Sequence, residues 1–146
     1  MVVNAEPTQY GADGSELPRL LYTGTCTGYF REVVRRYGRF EHSNGNPVCL
    51  SDSPLTAISC ATQRSRFYDD LPLVLVVDTD KRREPLTYDG TYYANSLDLG
   101  CFVPYGFIAP VDGDMYKAVY ARICRAEDRA RSASVEELQR DVLAFL

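Results

Sequence analysis

The stretch LPLVLVVDT, residues 71–79, constrains this chain more than any other. Its apolar run is unbroken rather than alternating, so both faces of a strand built from it must be covered. Such a strand sits in the middle of a sheet with a layer on either side. At 146 residues the chain is long enough for that arrangement. A chain of about 150 residues buries roughly 68–70% of its unfolded surface and needs no metal or disulfide staple. Hydrophobic residues make up 45% and charged residues 25%, the ordinary globular balance. One globular domain is expected over residues 18–146. It follows a polar, turn-rich arm at 1–17 containing Pro7, Gly11 and Gly14.

The segments flanking the central strand carry clear punctuation. A first strand is expected at 19–25, ending in Thr23-Gly24-Thr25. Thr27 then suits a helix N-cap, with Phe30, Val33, Val34 and Tyr37 at helical spacing and Gly38 as the stop. Val48-Cys49-Leu50 reads as a short buried strand after the turn-rich EHSNGNP. Ser53 as N-cap and Pro54 at the first helical position open a second helix, with Leu55, Ile58 and Ala61 or Thr62 inward and an end near Arg66. Asp89-Gly90 marks a hairpin turn leading into Tyr92 and Tyr93. CFVPYGFIAPV gives one or two short strands, with Pro104 at an edge or bulge. Residues 112–146 read as a helical part. Asp114 caps a helix facing inward through Met115, Val119 and Ile123. Ser134 and Glu137 form a capping box ahead of Val135, Leu138, Val142 and Phe145. The order predicts an α+β fold with small mixed or antiparallel sheets and two C-terminal helices.

Several chemistries are disfavoured. No G-x-G-x-x-G or G-x-x-x-x-G-K-[ST] follows the first strand, which sets aside a Rossmann site and a P-loop. The five cysteines (26, 49, 60, 101 and 124) contain no C-x-x-C pair and read as free thiols. His42 is the single histidine, so a metal site is not expected, and Ser-His-Asp chemistry would need His42 itself. The net charge of −4 argues against a wholly basic nucleic-acid binder. Two local clusters, Arg31, Arg35, Arg36 and Arg39, then Lys81, Arg82 and Arg83, are either solvated surface or phosphate contacts. No basic start with an apolar core opens the chain, and no apolar run approaches the ~18 residues of a spanning helix. A soluble cytoplasmic protein without a membrane partner is the expectation. Gly24, at a strand end, reads either as a point of close ligand approach or as a turn residue.

The succession Leu21-Tyr22-Thr23-Gly24-Thr25, a helix, Val48-Cys49-Leu50-Ser51, a helix bearing Ala57 and Ala61, then Leu73 to Asp78, resembles the ADP-ribosyltransferase superfamily. That group includes the poly-ADP-ribose polymerases, nucleic-acid-modifying toxins and RNA 2′-phosphotransferases. The stretch LGCFVPYGFIAPV is similar to the family's late strand, so the resemblance covers about residues 20–111. It implies a split-sheet fold and NAD as substrate, with ADP-ribose passed to a nucleic acid or protein acceptor. It also implies that the Gly24 backbone meets the nicotinamide amide, flanked by Thr23 and Thr25, and that Ser51 steadies the nicotinamide ribose. Tyr68 or an aromatic of the 29–37 helix would stack on the ring, and Arg35 would meet the pyrophosphate. Two departures stand out. Thr23 occupies the position where the family carries His or Arg, and no Glu occurs between 85 and 126. Asp98 is the carboxylate nearest the missing catalytic Glu and is the catalytic candidate, one methylene shorter. Those departures equally suit a catalytically inactive module that binds a nucleotide, RNA or protein. A 2′-phosphotransferase would instead rely on Arg31, Arg35 and Arg36.

Overall fold

The computed structural model describes residues 17–83 and 85–146; the expected arm therefore lies almost wholly outside the described residues. The run at 71–79 becomes β3 (Pro72–Asp78), the middle strand of an antiparallel sheet between β1 (Leu20–Cys26) and β6 (Phe102–Gly106). Every residue of β3 is buried. Leu73, Leu75 and Val77 face one apolar cluster, shared with Phe30, Val33 and Val34 of α1 (Thr27–Tyr37). Val74 and Val76 face the other, shared with Ala57, Ile58 and Ala61 of α2 (Pro54–Tyr68) and with Val119 and Ile123 of α3 (Gly113–Ser132). The alternation of side chains across a strand thus serves two cores at once, which is why the sequence shows no polar face.

A second antiparallel sheet has β5 (Tyr92–Ala94) between β2 (Val48–Leu50) and β4 (Thr87–Tyr88). Asp89 and Gly90 make the hairpin turn, Gly90 at φ 74°. Its inner residues Val48, Leu50, Tyr92 and Ala94 close the α1 side of the first core, together with Val142 of α4 (Val135–Phe145). The fold is α+β, with four α-helices and two small antiparallel sheets among the described residues. None of these helices is long and apolar enough to cross a membrane.

Local signals are realised with some shifts. Gly38 ends α1 in the left-handed region (φ 70°), and Ser53 caps α2 by accepting from the Thr56 amide at 3.3 Å. Ser134 and Glu137 form the full capping box of α4. Thr27 does not cap α1. Cys26 holds the cap position without a side-chain bond, and the Asp70 carboxylate accepts the Gly28 amide instead, at 3.0 and 3.2 Å. Asp112 rather than Asp114 caps α3, taking the Met115 amide at 2.8 Å. Leu55 is 48% exposed, because the tight contact of α2 with β1 runs through Ala57 and Ala61. α2 also continues past Arg66 to Tyr68, where Asp69 turns left-handed.

The C-terminal end of α3 is tied to the end of β3. Asp78 is fully buried and receives Lys81 Nζ at 2.8 Å, Arg19 at 3.3 and 3.2 Å, and the Asp80 amide at 3.0 Å. Lys81 also donates to the carbonyls of Ala130 and Arg131, so cations meet the negative end of the helix.

Candidate functional site

The two sheets touch through one bridge. Tyr22 and Ser51 exchange both main-chain hydrogen bonds at 2.8 Å. Continuing that antiparallel register would set Gly24 opposite Cys49, but no bridge joins them and the strands part. A cleft of about 1120 Å³ opens in the gap, with Thr25 and Cys26 of β1 on one side and Pro47 and Cys49 on the other. That volume slightly exceeds the usual range of small-molecule sites, about 300–1,000 Å³. Main-chain groups of alternate strand residues face the same edge, so Gly24 presents its N–H and C=O on the side where Tyr22 meets Ser51.

The walls come from both faces of the first sheet. Gly28, Tyr29 and Glu32 of α1 form one, continued by His42, Ser43, Asn44 and Asn46 of the following loop. Gln63, Arg64, Phe67 and Tyr68 at the end of α2 form the other, with Asp70 beyond them. Phe67 and Tyr68 are 81% and 66% exposed and meet edge-to-face at 4.8 Å. Planar ligands stack readily on such rings.

Thr25 is the most distinctive polar group of the cleft. It is 1% exposed, and its hydroxyl has no hydrogen-bond partner among the described residues. A buried polar atom left in that state costs about 1–3 kcal/mol until something bonds to it. Opposite, the Tyr29 hydroxyl accepts the Ser43 amide at 3.1 Å and lies 3.4 Å from His42 Nδ1. Burial, then the nearby Arg64 guanidinium, push His42 below its ordinary value and keep it neutral at neutral pH. The contact between the Tyr29 hydroxyl and His42 Nδ1, with the Ser43 amide on the same hydroxyl, pins the loop to α1. Burial likewise raises the Cys26 thiol, helped by the Asp70 charge.

The charged side chains divide into two kinds. Asp70 is engaged by main-chain amides, the two contacts from Gly28 and one from Leu71 at 2.7 Å. Glu32 and Arg64 form no ion pair among the described residues, and both are exposed.

Of the residues expected at a nucleotide site, Thr25 and Tyr68 line this cleft. The side-chain face of Gly24 is not open to a ligand: a Cβ there would fall 2.4 Å from Ala57 O and 2.7 Å from Ala61 N, so the missing side chain admits α2. Thr23 is buried within β1. Ser51 forms the bridge with Tyr22, and its hydroxyl accepts the Ser53 amide at 3.0 Å. Arg35 donates to the Leu146 carbonyl and Arg31 to that of Phe145 at 3.2 Å, so both cap the end of α4. Asp98 lies away from the cleft, at the start of a 3₁₀ turn (Leu99–Cys101), in a narrow crevice with Arg82, Arg83, Leu97 and Cys101. The neighbouring residue, Leu97, is fixed by its antiparallel bridge with Phe40. Glu32, Arg64 and Phe67 are among the cleft residues that sequence spacing does not mark as ligands; of these Phe67 alone carries a signal, an aromatic off the buried stripe of its helix.

No family model, curated protein or solved structure matches this chain.

Proposed function

We propose that the gap between β1 and β2 is a dinucleotide-binding cleft, and that the chain binds NAD there on an ADP-ribosyltransferase-like split sheet. The observation that carries this reading is the buried, unpartnered Thr25 hydroxyl at the floor of a cleft with an exposed aromatic rim. The hydroxyl offers a fixed hydrogen-bonding point. Phe67 and Tyr68 offer stacking for a heteroaromatic ring, and Arg64 offers a cation for phosphate. Transfer of ADP-ribose to a nucleic acid or protein is the activity that such binding would serve.

The position of Asp98 favours a second reading, in which the chain binds the nucleotide without transferring ADP-ribose. Titration calorimetry with NAD and ADP-ribose tests binding, and release of nicotinamide tests turnover. Binding with turnover that survives Asp98→Ala supports a transferase whose acid is elsewhere. Binding without turnover supports the module. If neither compound binds at millimolar concentration, the dinucleotide reading fails.

A further inference from the structure

We infer that Glu32 and Arg64 form a two-pole charge selector across the cleft, tuned to a ligand carrying a cation at one end and an anion at the other. This rests on the dinucleotide reading above and names the redox form that the cleft takes. α1 and α2 pack on opposite faces of the first sheet, so Glu32 and Arg64 reach the cleft from opposite walls. Neither is neutralised by an ion pair among the described residues, and Asp70, the other carboxylate of the cleft, is already engaged by the amides of Gly28 and Leu71. Arg64 lies on the cleft wall, close enough to His42 and Cys26 to act on their ionisation, so its exposed charge faces the site.

An unpaired acid facing an unpaired base across a ligand-sized gap repels a uniformly charged ligand at one pole. It suits a ligand whose own charges are separated. Oxidised NAD is such a molecule: its pyridinium ring is cationic and its pyrophosphate anionic. NADH and ADP-ribose keep the pyrophosphate and lack the cation. With Arg64 on the pyrophosphate and Glu32 beside the pyridinium, the cleft prefers the oxidised form.

The test is calorimetric titration of the full chain with NAD+, NADH and ADP-ribose at low and high salt. Native protein is expected to bind NAD+ more tightly than NADH. Glu32→Gln is expected to weaken NAD+ about two- to five-fold, the range of solvent-exposed charge contacts, and to leave NADH and ADP-ribose unchanged. Arg64→Gln is expected to weaken all three by a similar factor, and the effects should shrink as salt rises. Because both residues are exposed, each variant should melt at the native temperature without ligand, and that measurement verifies that folding is intact. Binding of all three ligands with an NAD+ to NADH ratio unmoved by Glu32→Gln overturns the selector and leaves the dinucleotide reading standing. Absence of binding by all three to native protein overturns both.

Discussion

A side chain on Gly24 would collide with the main chain of Ala57, its Cβ falling 2.4 Å from that carbonyl oxygen. The obstacle is helix backbone rather than a flexible side-chain tip, so the contact cannot relax by a rotamer change. Gly24→Ala must displace α2 from β1. The expected loss is about 1–3 kcal/mol, as for other overpacked cores. Denaturant unfolding measures it; a loss under about 0.5 kcal/mol would mean that α2 slides over β1 freely.

Thr25→Val separates folding from ligand binding. The hydroxyl that it removes has no partner in the protein, so stability should change by less than about 1 kcal/mol or improve. Nucleotide affinity should fall about two- to ten-fold, the worth of one hydrogen bond. A large stability loss with unchanged affinity would show that the hydroxyl belongs to the fold instead of the cleft.

Asp78 makes the fold acid-sensitive. Burial alone would raise its carboxyl, but the bonds from Arg19, Lys81 and the Asp80 amide outweigh burial and hold it below its ordinary value of 3.8. With the folded value depressed, its contribution is complete above the unfolded value and is lost as pH falls through the folded one. Stability should therefore decline from about pH 5 downward. Asp78→Asn should cost about 3–5 kcal/mol at pH 7, since it strands Lys81 and breaks a buried pair. The same variant should flatten the acid limb of the stability profile, measured by urea unfolding at stepped pH.

His42 is the single histidine, so its imidazole resonances can be followed without assignment mutants. It should titrate below 6.5, held down first by burial and second by Arg64. Arg64→Gln should raise the value without restoring it fully, because burial remains. Below 6.5 the unfolded chain takes up a proton that the native ring resists, so stability falls as pH drops from there toward the folded value. A titration at or above 6.5 in native protein would place the ring in open solvent.

The elements were readable where the signal is local. The unbroken run at 71–79 announces a strand covered on both faces, and Ser53-Pro54, Asp89-Gly90 and Ser134 to Glu137 each encode a cap or turn within four residues. The cap of α1 slips because the group that satisfies its Gly28 amide is Asp70, forty-two positions away, whereas that of α3 shifts only from Asp114 to Asp112. Position 24 shows the same limit. A glycine at a strand end states that something comes close, but whether a helix or a ligand fills the space is decided by packing across the fold. Thr25 and Tyr68 reach the cleft because they flank its edge. Asp98 does not, since its place is fixed by the bridge of its neighbour Leu97 to Phe40, a pairing between positions far apart in the sequence. The walls of the cleft are drawn from helix ends and a turn-rich loop, where polar residues follow no period and leave no pattern to read.

The bridge between Tyr22 and Ser51 has a final consequence. It is a seam one rung long, and the register that it sets would bring positions 24 and 49 together as the next rung. Had the ladder run that little bit further, the two sheets would have zipped into one and the aperture between them would be gone. The hollow in this molecule thus owes its existence to where pairing stops.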